Sequence, residues 1–142
     1  MLEKFKRPPD FVIKDDFSPV PYLCRWWVIP RNRFFNVYLH KFNRSDSDRA
    51  LHDHPWISVS FLLKGKLLEM HPKGTRTIKR FVPVFRSAQF AHRLIVLNSP
   101  VWTLFITGPR IREWGFHCPQ GWRHWTDFTT PDGKNINKGC GD

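Results

Sequence analysis

The stretch Leu51-His52-Asp53-His54-Pro55-Trp56-Ile57-Ser58-Val59-Ser60-Phe61-Leu62-Leu63 carries both the fold signal and the candidate chemistry of the chain. Pro55 lacks a backbone N–H and clashes with a preceding helical turn, which argues against a helix interior here. The run from Trp56 to Leu63 is rich in β-branched and aromatic side chains, as a strand requires. Two histidines stand two residues apart. On an extended chain alternate side chains share a face, so His52 and His54 project together while Asp53 points the other way. On a helix the same spacing would splay them apart.

Working outward, Lys64-Gly65-Lys66 reads as a turn after which Leu67 to His71 returns, and Pro72-Lys73-Gly74 reads as a second turn before Thr75 to Val82. Residues 91–97 and 101–107 read as a strand pair around Asn98-Ser99-Pro100, and Gly108-Pro109 precedes a last strand from Arg112 to Cys118. Upstream, residues 22–29 form a strand ended by Pro30. Residues 34–42 form another, with Phe35, Val37 and Leu39 on one face and Asn36, Tyr38 and His40 on the other. Asn43 to Asp48 is a polar loop, and Phe11 to Ile13 is a short edge strand. About eight to ten short strands separated by turn signals indicate an all-β sandwich or barrel. The expected organisation is a Pro-rich lead-in over 1–21, a barrel over 22–128 and a polar, flexible tail over 129–142.

A chain of 142 residues fits one domain. Thirteen Phe and seven Trp supply apolar surface, and twelve Pro with eight Gly interrupt any long helix. Cys24, Cys118 and Cys140 are odd in number and lack a CxxC spacing, so reduced thiols and a cytoplasmic location are expected. No apolar run approaches the roughly 20 residues that span a bilayer. Met1 to Asp15 has no apolar core and does not read as a signal peptide. The formal net charge of +11 favours an anionic partner. The basic residues, among them Arg31, Arg33, Lys41, Arg44, Arg76, Lys79 and Arg80, are scattered and form no recognisable nucleic-acid motif. Nucleic-acid binding is therefore an alternative reading and not the favoured one.

A third ligand for a metal comes from His92, which opens the alternating strand Ala91-His92-Arg93-Leu94-Ile95-Val96. Three neutral imidazoles suit Fe(II), Zn, Ni or Cu and leave positions open for water or substrate. His71, His117 and His124 lack partner spacing; so does His40, but its strand ends just before the histidine loop, close to the cavity. Asp53 is expected to pair with an arginine such as Arg49 or to orient an imidazole. Glu69, the other carboxylate on a core strand, is open to three readings: replacement ligand, general base or exposed strand carboxylate. Arg93 faces away from His92 by parity. Arg25 and Arg112, on flanking strands, are candidate clamps for a substrate carboxylate or phosphate, and the sequence does not choose between them. The Trp-dense run from Arg112 to Trp125 reads as core packing rather than a lid.

His52, His54 and Gly65 fall on the frame of the first cupin motif, H-x-H followed by a Glu and then a turn Gly, and His92 matches the single His of the second. The chain thus resembles the cupin superfamily over about residues 34–107. Ser58 (or Val59 on the longer spacing) stands where the motif has Glu, so the site resembles three-His cupins such as the thiol dioxygenases. Ser58 shares the parity of His52 and His54 and is expected to face their cavity. The resemblance implies a single-domain cupin-type jelly-roll β-barrel with short terminal extensions. It implies one divalent transition metal, Fe(II) ahead of Zn or Ni, and a non-haem, dioxygenase-like enzyme. Three neutral ligands leave the metal's charge uncompensated, which favours a small anionic substrate. Cupins also pair through edge strands, which makes a homodimer a further expectation. The run from Arg25-Trp26-Trp27 to Trp114-Gly115-Phe116 is similar to small cupin-like proteins of bacteria and their phages, a likeness that implies no substrate. A non-catalytic metal- or ligand-binding module is the competing expectation.

Overall fold

Two long strands organise the molecule. In the computed structural model, which describes residues 7–15, 19–45 and 50–136, β5 runs from Ser58 to His71 and β8 from Arg93 to Thr107. They pair antiparallel along most of their length. Around them lie β1 (Phe11–Asp15), β2 (Leu23–Trp27), β3 (Asn36–Phe42), β4 (Leu51–His52), β6 (Gly74–Ile78), β7 (Val84–Arg86), β9 (Gly115–Cys118), β10 (Gly121–His124) and β11 (Asn135–Ile136), with one 3-10 turn at Trp125–Asp127. The large sheet has the order β11-β1-β2-β3-β8-β5-β6, with β7 also on β5, and a small sheet has the order β10-β9-β4. No described helix is long and apolar enough to cross a membrane.

Neither Lys64-Gly65-Lys66 nor Asn98-Ser99-Pro100 reverses the chain, contrary to the turns expected there. The two signals lie opposite each other in the β5–β8 pair, where the register shifts between Leu62 and Leu67. An irregular step of this kind bends a strand and raises its twist without ending it. Gly65 takes φ +93°. A Cβ there would stand 2.8 Å from Val101 Cγ2 and 2.9 Å from the Asn98 carbonyl oxygen, so only glycine allows the two backbones to close on each other. The result is one sheet bent across its middle, in place of two separate hairpins. Pro72-Lys73 does make a hairpin, between His71 and Gly74.

β1 is flanked on both sides, because Lys14 and Asp15 pair in parallel with Asn135 and Ile136. Part of the polar tail therefore adds to the sheet, and β11 takes the edge expected for β1. One buried cluster joins Tyr22, Leu23, Phe42, Leu62, Leu67, Ile78 and Val101. On the other face of β2 and β3, Trp26, Leu39 and Trp102 pack together, the two indoles stacked at 5.4 Å. Ala50, Phe116 and Cys118 form a third cluster under the small sheet. Cys24 is a free thiol, but Cys118 is disulfide-bonded, which overturns the expectation of reduced thiols throughout. Cys140 and Arg49, the arginine expected to pair with Asp53, lie outside the described residues.

Candidate metal centre and cavity

Extended backbone on either side of His52 places the three histidines. The His52 and His92 main chains exchange two hydrogen bonds of 2.9 Å, and the His54 N–H donates to the Ala88 carbonyl at 3.0 Å. Asp53 donates in the opposite direction, to the Gly115 carbonyl. The alternation sends the His52 and His54 side chains to one face, beside His92. Ring centres stand 5.2 Å apart for His52 and His54, 4.9 Å for His52 and His92, and 4.8 Å for His54 and His92. One ring nitrogen from each lies within 4.8 Å of the others, so the trio could hold a metal ion.

The electrostatics suit that use. Burial pushes His54 well below the ordinary histidine range, with nearby His92, His52, Arg86 and Arg112 adding to the effect. Burial also lowers His92, to about 4, against the opposing effect of the hydrogen bond it donates to Glu69. Neutral imidazoles keep the lone pair that a metal needs. Nδ1 of His54 is buried and has no hydrogen-bond partner among the described residues. A buried polar atom left bare is costly, and a neutral ring nitrogen in that state has the chemistry of a metal donor.

Glu69 does not join the trio as a ligand. It is fully buried, and its Oε1 accepts from His92 Nδ1 at 2.5 Å. Burial would raise its pKa, but hydrogen bonds from His92 and Arg86 win and hold the carboxyl well below the usual range. The carboxylate is therefore ionised. It fixes the proton on His92 Nδ1 and leaves Nε2 with its lone pair, the way carboxylates orient metal-binding histidines. The same carboxylate accepts from Arg86 Nε at 2.5 Å and Arg76 Nε at 2.6 Å, and Arg86 Nη1 donates to Ser60 Oγ at 2.7 Å. Arg86, Arg76 and Ser60 were not singled out from sequence. A usable signal did exist: Glu69 is the only acid between Asp53 and Glu113, and it shares the parity of buried Leu67.

The trio opens on a cavity of about 400 Å³ whose lining includes Arg25, His40, Ser60, Arg86 and the rings of Tyr38, Trp56, Phe105, Trp114 and Trp125. No family model matches the sequence, and no curated protein is similar to it. Solved structures are similar in fold. A cupin superfamily protein from Desulfitobacterium hafniense DCB-2 superposes with TM-score 0.51 at 10% identity, over 61% of this chain and 77% of that one. KdgF from Halomonas sp. gives 0.52 at 14%, over 70% and 94%. The DMSP lyase DddQ from Ruegeria pomeroyi DSS-3 gives 0.56 at 15%, over 70% of this chain and 54% of that one.

The fold is a cupin fold.

Within this cupin barrel the remaining candidates sort by position. Ser58 does not line the cavity; Ser60 does. Ser58 and Ser60 share a face of β5, so it is position along the strand, and not parity, that separates them. Ser58 is buried opposite Arg86 and Thr107, and its hydroxyl has no partner among the described residues. Arg112 is also absent from the lining. Its guanidinium donates to the His54 carbonyl at 3.0 Å and pairs with Asp53 at 3.0 Å. Asp53, 2% exposed, further accepts from the Gly115 N–H at 2.8 Å and from His117 Nε2 and Trp122 Nε1 at 3.0 Å. Asp53 thus ties the small sheet to the histidine loop from behind. His124 and His71 sit in exposed turns, at the 3-10 helix and the β5–β6 hairpin. His40 is buried on β3, and its Nε2 accepts from Arg25 Nε at 2.9 Å. Burial, then the Arg25 charge, keep it neutral.

Proposed function

We propose that this cupin is a metal-dependent enzyme that acts on a small anionic molecule bound in the cavity. The observation that carries the reading is the convergence of His52, His54 and His92 with a buried carboxylate 2.5 Å behind His92. A divalent metal held there, Fe(II) ahead of Zn or Ni, would supply Lewis acidity and, with oxygen, dioxygenase-type chemistry. The chain's own groups do the rest. Glu69 keeps the His92 Nδ1 proton in place and orients the ring. The walls of Trp56, Phe105, Trp114 and Trp125 exclude water and strengthen every electrostatic contact inside. Arg25 and Arg31 give the lining a positive character that attracts anions. One similar structure is called a DMSP lyase, which accords with an enzyme built on this fold.

The test is oxygen uptake by protein reconstituted separately with Fe(II), Zn and Ni, in the presence of small thiols and organic acids. Uptake that needs Fe(II) and an acid substrate supports the reading. Tight metal binding without turnover of any acid under any metal would mark a non-catalytic binding module instead.

A further inference from the structure

Arg25 is a cation with no acidic partner among the described residues. It sits on β2 directly across from His40 on β3 and lines the cavity. The other interior arginines have acidic partners: Arg86 has Glu69, and Arg112 has Asp53. Among the described residues no carboxylate pairs with Arg25, and the charged or titratable groups that act on it are Tyr38, Arg31 and Tyr22. Asp132 lines the same cavity but is engaged by Thr130 Oγ1 at 2.6 Å and the Lys134 N–H at 2.9 Å. Burial lowers the Arg25 guanidinium to about 10, so it stays charged at neutral pH. A charge taken out of water without a partner is costly.

Its hydrogen-bonding geometry narrows what would complete it. The Nε edge is occupied by His40 at 2.9 Å. The plane lies over Tyr38, with the guanidinium carbon 4.7 Å from the ring centre, and Phe11 is 5.6 Å away. The two Nη groups remain as a fixed planar fork, the shape that takes a carboxylate through two parallel hydrogen bonds. From His40 a row of rings leads to the metal trio: Phe105 at 5.2 Å from His40, Trp56 at 5.5 Å from Phe105, and His54 at 5.4 Å from Trp56. Fork and trio are therefore separated by an aromatic wall. A ligand that reaches both needs an apolar body.

We infer that Arg25 is the carboxylate-binding residue of the cavity. Its ligand class is a small organic monocarboxylate whose apolar body lies along Phe105 and Trp56 and whose far end reaches His52, His54 and His92. The inference rests on the reading of this cavity as the small-molecule site, and it names the end of the molecule that the metal does not hold.

The probes are phenylacetate and 3-phenylpropionate, their amides, and inorganic phosphate. Binding is read by calorimetry and tryptophan fluorescence on metal-loaded and chelator-treated protein. The acids are expected to bind in both forms, with the amides and phosphate at least roughly tenfold weaker. Arg25→Gln is expected to weaken the acids about 100-fold, the loss of two charge-assisted hydrogen bonds. It should leave the ligand-free Tm equal to or above wild type, because it removes a half-buried charge that has no acidic partner among the described residues. Arg25→Lys keeps the charge but not the fork and should lose about tenfold. The inference is overturned if Arg25→Gln binds the acids within about twofold of wild type, if amide or phosphate binds as well as acid, or if no acid binds wild type. It is also overturned if Arg25→Gln lowers the Tm, which would make Arg25 a packing residue. A His54→Ala protein that binds no metal yet binds the acids normally supports this inference; the metal reading would fail separately, by wild type taking up no metal.

Discussion

Replacing Glu69 by Gln keeps the shape of the side chain and removes its charge. The consequence follows from which partners can return to water. The Arg76 side chain is 43% exposed and can do so, and an exposed pair contributes at most about 1 kcal/mol. The Arg86 side chain is 3% exposed and cannot. It would keep its bond to Ser60 but face an uncharged amide, and stranding one partner of a buried pair costs about 3–5 kcal/mol. Against the ~5–15 kcal/mol that holds a domain together, Glu69→Gln should remain folded at low temperature with a much reduced urea midpoint. The second change, Arg86→Met, removes the stranded charge, so Glu69→Gln/Arg86→Met should recover most of the loss. Metal affinity, measured by competition with a chromophoric chelator, should fall about 10–100-fold in both proteins, because His92 has lost the anion that orients its ring. A Glu69→Gln protein within about 1 kcal/mol of wild type, or a double variant no more stable than the single, would refute the electrostatic reasoning. Unchanged metal affinity would refute the role assigned to Glu69 behind His92.

Gly65→Ala should cost about 2 kcal/mol or more in thermal unfolding, since it combines φ +93° with a Cβ pressed onto Val101 and the Asn98 carbonyl; Gly121→Ala, at φ +120° with open space around it, should cost less. Metal-free protein should lose stability as the pH falls from about 6.5 towards 4: His92 is held down to about 4, an unfolded histidine titrates near ~6.5, and the unfolded chain therefore binds more protons across that window. Urea titrations at several pH values would show the slope, and a flat profile would contradict it. Asp53→Ala should leave Arg112 and Trp122 without their shared acceptor, expose the β9–β10 hairpin to faster amide exchange, and lower stability by about 3 kcal/mol.

Much of the site could be read locally because its geometry is local. His52 and His54 share a face through simple alternation, and His92 stands beside them as the start of an apolar strand. The two turn signals at Gly65 and Asn98-Ser99-Pro100 were misleading for a physical reason. Glycine and proline mark places where backbone departs from a flat strand, but not whether the departure reverses the chain or bends it. Here the two departures face each other and bend a pair of long strands together. Parity names a face but not a depth along it: Ser58 and Ser60 share one face of β5, and the cavity receives Ser60 and not Ser58. The choice between Arg25 and Arg112 could not be made from sequence, because it depends on which guanidinium meets an acid, and Asp53 lies far from Arg112 along the chain. Glu69 was recognisable as an isolated carboxylate on a core strand. Its partners Arg86 and Arg76 meet it only through pairings made after the sheet forms.

The most direct test of the central claim is metal content by elemental analysis, on untagged protein prepared without chelators, alongside His52→Ala and His92→Ala. The account predicts about one equivalent of a divalent transition metal per chain, as a single three-histidine site implies, and its loss in both variants. Wild-type protein that takes up no metal after incubation with Fe(II), Zn or Ni, or variants that retain it, would contradict the account.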